Sequence, residues 1–317
     1  MRPKLVVSKC LGFENCRYNG QTIPDKFIEK LSNFADIITV CPEVEIGLGI
    51  PRQPVRLGRE NDTIRMFQPA TELDVTDKML NFSQEFFSQL SNIDGFIMKN
   101  RSPSCGINDV KIYHNLDKLA SSNRGQGFFG GKISHYFPNA AIEDEGRLKS
   151  LQIREHFLTK LYTIRRFRDV KESNSMKELV KFQTDHKYLF MAYNQEAYRD
   201  GGRIVANHEK FAIEKVIEIY ELNLSRIFVK PAKSQANINA IHHIFGGFSS
   251  NLSKDEKIFF LNSVEEYRDE RISLSTVIHL LKSYAIRFDS QFVKEQVFLN
   301  PFPDELMNLS NSARRKN

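Results

Sequence analysis

The stretch PDKFIEKLSNFADIITVCPE, residues 24–43, decides the fold. Residues 24–34 carry apolar side chains at helical spacing, and residues 35–43 contain a short apolar run rich in β-branched residues, which is typical of a buried strand. KLVVSKC, residues 4–10, is a similar run that precedes it. Because strands separated by helices imply right-handed crossovers, the pattern predicts an α/β domain with a doubly wound, Rossmann-like parallel sheet.

The same alternation continues along the chain. Residues 76–93 predict an amphipathic helix with Thr76 as its N-cap, and GFIMKN, residues 95–100, predicts a third strand. Residues 51–69 contain VRL and TIRMF on either side of a polar turn, which indicates a β-hairpin outside the main sheet. The glycine-rich residues 121–132 fit either a flexible lid or a sheet-to-helix turn.

The second half of the chain consists of successive segments with apolar residues near helical spacing. We therefore predict two domains, an α/β domain over residues 1–150 and an all-helical domain over residues 151–317. Gly201 and Gly202 are expected to mark a break between two of the helices.

Length and composition fit a protein of two globular domains. The chain has 317 residues, 41% hydrophobic and 26% charged, and a domain usually holds roughly 100 to 200 residues. The N-terminal apolar run is too short for a signal peptide, and no apolar stretch reaches the roughly eighteen residues of a membrane span, so we expect a cytoplasmic protein with no membrane contact. Four cysteines are too few for a disulfide scaffold, which in a reducing cytosol favours metal ligands or nucleophiles.

Positive charge is concentrated in the helical half. Residues 1–150 hold 19 Lys and Arg against 18 Asp and Glu, whereas residues 151–317 hold 26 against 21. Such an excess is compatible with contact to RNA or DNA and equally with solvated helix faces. A basic face of Arg165, Arg166 and Arg168 could meet RNA or the acidic surface of the other domain. Further candidates for a site in this half are His186, Lys187, Tyr193, His242 and His243.

Three cysteines follow the three predicted strands. Cys10 ends the first strand, Cys41 lies near the end of the second and Cys105 follows the third by a few residues. Ligands of open α/β sheets bind beyond the carboxyl ends of the strands, so we expect these thiols to converge on one sheet edge. Cys16 lies in the loop after the first strand and is a possible further ligand, a separate thiol or a packing residue.

Convergent cysteines have several interpretations. Free cysteines are often simply buried as small hydrophobic residues. The spacing lacks the CxxC pair usual in structural zinc sites, whereas ligands from separate loops suit an iron-sulfur cluster or an open metal centre. Three thiolates on a four-iron cluster would leave one iron free for a soft substrate atom such as sulfur.

Polar residues near the same edge are candidates for catalysis. Glu43 follows Cys41 by two residues, and Pro42 between them fixes the local backbone. A partly desolvated carboxylate can serve as general acid or base, although Glu43 could instead cap a turn or pair with Arg52. Ser102 and Ser104 could hydrogen-bond a substrate or a cluster sulfur, or serve the turn itself.

Five motifs in order resemble those of the thiouracil desulfidase (TudS-like) family over about residues 1–150: SKCLGFENCRYNG, CPEVEIGLGIPRQP, DVTDKM, KNRSPSCG and IEDEGRL. Residues FQTDHKYLFMAYNQ resemble the YbgA-like helical domain that is often fused to it. The resemblance implies a [4Fe-4S] cluster held by Cys10, Cys41 and Cys105, with Glu43 transferring protons and Ser102 supporting it. The sulfur of a thiolated pyrimidine would bind the iron that lacks a protein ligand.

The resemblance has departures that concern the pocket walls more than the cluster ligands. Asn19 stands where the family usually has aspartate, Ile46 replaces a common glycine, and the first motif lacks one leucine of the usual pair. The residues that we expect to contact substrate are Ser8, Tyr18, Asn19 and Ser104.

The resulting hypothesis is hydrolytic desulfuration of a thiolated base or nucleoside, C=S to C=O with release of sulfide. One alternative is a nucleic-acid or partner-binding protein whose cluster or zinc is structural. Another is a fused form that has lost catalysis and binds a partner through its helical domain.

Overall fold

The structure is a computed structural model that describes residues 1–61, 63–114 and 122–307. Its strands, in chain order, are β1 (Lys4–Ser8), β2 (Asp36–Val40), β3 (Arg56–Glu60), β4 (Thr63–Gln68), β5 (Leu73–Asp74), β6 (Gly95–Met98), β7 (Val110–Tyr113), β8 (Ser122–Gly125) and β9 (Ala141–Asp144). Its α-helices are α1 (Lys26–Ser32), α2 (Pro42–Glu45), α3 (Thr76–Gln89), α4 (Ile133–Tyr136), α5 (Leu151–Ser173), α6 (Met176–Asp185), α7 (Lys187–Tyr193), α8 (Gln195–Ala206), α9 (Ile213–Ile227), α10 (Ser234–Gly246), α11 (Lys254–Arg268), α12 (Leu274–Arg287) and α13 (Gln291–Lys294).

A parallel sheet with the order β2-β1-β6-β9 forms the centre of the first part of the chain. Leu5 pairs with Ile37 of β2 on one side and with Gly95 of β6 on the other. The side chains of β1 from Leu5 to Val7 are fully buried, as expected of a strand covered on both faces. The predicted fold class, a parallel α/β sheet followed by a helical region, is confirmed.

A second sheet, of order β5-β4-β3-β7-β8 in the described residues, contains the predicted hairpin as β3 and β4. β3 and β4 pair antiparallel around a turn in which Asn61 has a left-handed φ of 47°. The predicted turn also includes Asp62, which lies outside the described residues. Sequence alone indicated the hairpin but not that β7 and β8 extend it into a sheet.

Helices α1 and α3 pack their apolar sides inward. The carboxylate of Asp25 accepts hydrogen bonds from the backbone N–H groups of Phe27 and Ile28, which starts α1. Thr76 was predicted to cap α3, but it is the first helical residue and Val75 is the N-cap. The hydroxyl of Thr76 instead accepts the N–H of Met66, so it ties the helix to β4.

Residue contacts divide the chain into two units, Met1–Arg165 and Arg166–Asp304, and the described residues after Asp304 group with the first. The core of the second unit is apolar and helical, with Tyr220 and Phe190 among its fully buried residues. No helix in the described ranges is long and apolar enough to cross a membrane.

The predicted helix break at Gly201 and Gly202 is wrong, because both residues lie inside α8. A side chain at Gly201 would bring its Cβ within 2.9 Å of the Gln183 amide oxygen and 3.3 Å of the Asn223 amide nitrogen. Gly201 therefore permits close packing within the unit, whereas Gly202 has no atom within 4 Å of a built Cβ. The helix ends later, at Asn207 in the left-handed conformation.

Candidate active site

The carboxyl ends of three adjacent parallel strands bring the cysteines together. β1 ends at Ser8, β2 at Val40 and β6 at Met98, and β1 lies between the other two. Cys10, Cys41 and Cys105 follow these strands, and all three line one cavity of about 320 Å³ together with Cys16. The other residues that line the cavity are Arg17, Tyr18, Glu43, Arg52, Pro54, Val55, Lys99, Asn100, Arg101, Ser102, Pro103 and Ser104.

Cys41 is positioned at the start of a helix. It is the N-cap of α2, and Pro42 occupies the first helical position, where its fixed φ suits the helix. The Cys41 thiol donates to the carbonyl oxygen of Cys16 at 3.6 Å, and Nη2 of Arg52 lies 3.9 Å from its sulfur. Cys41 is therefore held between a backbone acceptor and a cationic donor.

The loop that carries Cys10 is fixed through its backbone. The carbonyl oxygen of Cys10 accepts hydrogen bonds from the hydroxyl of Thr22 at 3.0 Å and from the N–H of Ile23 at 2.8 Å. Gly12, two residues later, has a φ of +94°, a conformation that glycine adopts at little cost.

The loop that carries Cys105 packs against the glycine-rich segment after β8. Gly127, Phe128, Phe129 and Gly130 each donate a backbone hydrogen bond to it. A Cβ on Gly130 would lie 2.2 Å from the carbonyl oxygen of Cys105, so only glycine fits there. The described part of this segment is therefore a strand followed by a turn and helix, which corresponds to the second of the two predictions; its first residue, Ser121, lies outside the described residues.

All four cysteines are free and buried. Burial is the main reason that three of the thiols, those of Cys10, Cys16 and Cys105, resist ionisation. Burial, reinforced by Cys41, raises the pKa of Cys10 to about 11, while Lys99 opposes the rise. Burial and the nearby Cys41 raise the pKa of Cys16 to about 12. Burial also raises the pKa of Cys105, although a hydrogen bond with Ser8 opposes it. Thiolates here would need a cation among them.

Glu43 is buried and fully engaged by neighbours. One carboxylate oxygen accepts the hydroxyl of Ser104 at 2.6 Å, and the other accepts Nε of Arg52 at 2.8 Å and pairs with its Nη2 at 2.7 Å. Because Ser104 gives its only proton to Glu43, the 2.9 Å contact between Ser102 and Ser104 has Ser102 as donor. A chain of hydroxyl groups thus leads from Ser102 through Ser104 to the carboxylate.

Cations surround the cavity, and most have a carboxylate partner. Arg52 pairs with Glu43, Lys99 with Glu145, and Arg101 with Asp109. The second carboxylate oxygen of Glu145 also accepts the backbone N–H of Asn100 at 2.7 Å. Arg17 lies over the ring of Tyr18, with 5.6 Å between the guanidinium carbon and the ring centroid.

Two of the residues expected to contact substrate lie elsewhere. Ser8 does not line the cavity; its hydroxyl accepts the N–H of Lys99 at 2.9 Å and so supports the end of β6. Asn19 is exposed, and its side chain hydrogen-bonds with Gln21. Tyr18, Ser102 and Ser104 do line the cavity.

From sequence alone, Arg52 is only an alternative partner of Glu43, and nothing marks Lys99 as a site residue. The signal for Arg52 was its place nine residues after Glu43, in a proline-rich turn. Lys99 immediately follows β6, so it lies at the same sheet edge as the cysteines.

The candidate residues of the helical region serve packing or lie at its surface. His186 is buried between the rings of Phe182 and Phe190, with centroids 4.0 and 5.0 Å away. His242 and His243 are exposed. Nε of Arg165 donates to the carbonyl of Arg2, and Arg166 donates to that of Pro301, so these guanidinium groups bind the chain itself.

No group of three or more His, Cys, Asp or Glu side chains in the described ranges is arranged to hold a metal ion.

Residues 5–145 match the family model described as 2-thiouracil desulfurase, and residues 187–303 match a model of a protein of unknown function, DUF1722. A solved structure of a [4Fe-4S]-dependent thiouracil desulfidase, TudS, is similar at 27% identity over 46% of this chain and 93% of that one, with a TM-score of 0.36.

A curated protein is also similar in sequence. The uncharacterized protein YbbK of Bacillus subtilis is 33% identical over 115 residues, which are 32% of this chain and 72% of YbbK. With the strand-end cysteines and the family model over the same region, the chain belongs to the 2-thiouracil desulfurase family.

Proposed function

We propose that the chain catalyses hydrolytic desulfuration of a thiolated pyrimidine base or nucleoside, in which C=S and water give C=O and hydrogen sulfide. The observation that carries the proposal is the meeting of three strand-end cysteines with Glu43 in one cavity, within the region that matches the desulfurase family. In this proposal the domain over residues 1–150 is catalytic and that over residues 151–317 is a separate helical domain.

The donor set fits a [4Fe-4S] cluster held by Cys10, Cys41 and Cys105. Each thiol comes from a different strand end and faces the same cavity, and thiolates are the usual ligands of such clusters. Since three thiols supply three of four irons, the bound cluster would offer one iron as a Lewis acid for the substrate sulfur. Raised thiol pKa values agree with ligands that ionise only when a cation takes the place of their protons.

Glu43 is the proposed base. Its carboxylate is held on one side by Arg52 and on the other by Ser104, so its orientation in the cavity wall is fixed. A water molecule at Ser102 could pass a proton along the two hydroxyl groups to Glu43, leaving hydroxide to attack the thiocarbonyl carbon. The same proton can then return to the departing sulfur.

The decisive experiment uses full-length protein, loaded anaerobically with iron and sulfide, and the variant Glu43→Gln. Sulfide release from thiouracil, thiouridine and thiolated tRNA should fall about 100-fold or more, because general base catalysis is typically worth 10² to 10⁴. Iron content should not change. Glu45→Gln is the matched control, since Glu45 lies on the same short helix, is exposed and does not line the cavity.

The outcome also separates the rival hypotheses. A cluster that only stabilises the fold should not change its visible spectrum when a thiolated base is added. Iron-loaded wild-type protein that releases no sulfide from any of the three substrate types would refute the proposed reaction, and so would undiminished activity of Glu43→Gln.

A further inference from the structure

Cys16 is the one cavity thiol that has no part in the proposed reaction. It is fully buried, and its carbonyl oxygen accepts both the Cys41 thiol, at 3.6 Å, and Nη1 of Arg52, at 2.9 Å. The side chains of Cys16 and Cys41 also contact each other, a contact that adds to the effect of burial on the Cys16 thiol. Arg52 therefore contacts both residues and holds the Cys16 backbone next to Cys41.

The two thiols differ in how easily an oxidant reaches and attacks them. Cys41 is 8% exposed and Cys16 is 0% exposed, so a small oxidant that enters the cavity reaches Cys41 more readily than Cys16. Nη2 of Arg52 lies 3.9 Å from the Cys41 sulfur, so a hydrogen-bond donor faces the sulfur atom on which the sulfenic acid would form. The Cys16 thiol is shielded from direct oxidation and stays reduced beside it.

We propose that Cys16 is a resolving cysteine, which protects Cys41 by forming a disulfide with it whenever the iron site is empty and an oxidant is present. Hydrogen peroxide first oxidises the Cys41 thiol to a sulfenic acid and is reduced to water. The Cys16 sulfur then attacks the Cys41 sulfur, the S–O bond breaks and a second water leaves. In total two thiols and one peroxide give one disulfide and two waters.

The benefit lies in reversibility. A sulfenic acid without a neighbouring thiol oxidises further to a sulfinic acid, which ordinary thiol reductants do not reverse, whereas a disulfide returns to two thiols. Cys41 would thus remain available as a ligand after oxidative loss of iron. The proposal uses the ligand role of Cys41 from the proposed function, but the disulfide itself forms in protein that contains no iron and is independent of desulfuration.

The test uses full-length, iron-free protein treated with one equivalent of hydrogen peroxide. Remaining thiols are alkylated, and unreduced peptides are mapped by mass spectrometry. We expect two of the four thiols to disappear and one linked pair, Cys16 with Cys41, to appear. The variant Cys10→Ser should still form this pair, and Cys16→Ser should not. A different linkage, or no disulfide in the wild type, would overturn the proposal.

A second readout measures protection through iron content. After peroxide and then dithiothreitol, the wild type should take up as much iron as untreated protein. Cys16→Ser should take up clearly less and carry two added oxygens on the Cys41 peptide. Equal recovery in both proteins would rule out protection. Circular dichroism and a Cys16→Ala variant check that the fold is intact, and an inactive but protected wild type would refute only the proposed function.

Discussion

Arg52→Met isolates the ion pair at the centre of the cavity wall. The Arg52 side chain is 4% exposed and that of Glu43 is 11% exposed, so solvent screens the pair little. Removing one partner of a buried pair leaves the other charge without compensation, which costs about 3–5 kcal/mol. Arg52 also donates to the carbonyl oxygens of Cys16 and Gly49, at 2.9 and 3.1 Å, so the segment around Cys16 should loosen as well.

A double-mutant cycle makes this prediction sharp. Glu43→Gln alone should destabilise the protein, because it removes the charge that Arg52 needs. In the Arg52→Met background the same substitution should stabilise it, by at least about 1.5 kcal/mol, because the stranded carboxylate is gone. The effect of Glu43→Gln therefore changes sign with the residue at position 52.

Amide hydrogen exchange on iron-free, full-length protein measures the effect locally. Peptides that cover residues 10–20 and 39–54 report the opening free energy of this region without assuming that the whole chain unfolds in one step. Arg101→Met is the matched control: Arg101 lines the same cavity, but its side chain is 68% exposed, and such pairs contribute roughly 0–1 kcal/mol. The reasoning fails if Arg52→Met costs no more than Arg101→Met, or if Glu43→Gln destabilises both backgrounds.

Three further predictions concern packing and pH. Gly130→Ala should lower iron loading and reduce the free energy of unfolding by about 1–3 kcal/mol, because the new methyl group would lie 2.2 Å from the Cys105 carbonyl oxygen. Gly201→Ala should destabilise the helical unit, whereas the neighbouring Gly202→Ala should stabilise it by about 0.5–1 kcal/mol, as urea unfolding can measure. Burial holds the pKa of His186 well below its usual value. As the pH falls below about 6.5, only the unfolded chain binds a proton at this residue, so the free energy of unfolding drops by up to about 1.4 kcal/mol per pH unit. His186→Leu should reduce this slope when unfolding is measured as a function of pH.

The sheet edge could be predicted from sequence because it follows from short-range patterns. Cys10, Cys41 and Cys105 each come within seven residues of the end of a strand whose apolar run is readable. In a parallel sheet the carboxyl ends of all strands lie on one side. The three cysteines therefore share a site if their three strands are neighbours in the sheet. No distance between the cysteines was needed to expect a common site.

Ion pairs between residues far apart in sequence, and close contacts at glycines, could not be predicted in the same way. Lys99 and Glu145 are 46 residues apart, and their pairing depends on β6 lying beside β9. Glycine disfavours the interior of a helix, yet Gly201 lies inside α8, because the amide group of Gln183 occupies the space that a side chain would need. Both features depend on tertiary contacts that no local pattern encodes.

The FQTDHKYLFMAYNQ motif, residues 182–195, shows how a recognisable segment can serve packing. Gln183 accepts the hydroxyl of buried Tyr220 and donates to the carbonyl of Tyr198 at 3.1 Å. The Asn194 side chain accepts the N–H of Ala197 and starts α8. Because these polar groups are hydrogen-bonded within their own unit, their substitution should first lower stability. A change in desulfuration caused by such a variant would therefore count as evidence for a functional role only if the unit keeps its wild-type unfolding free energy.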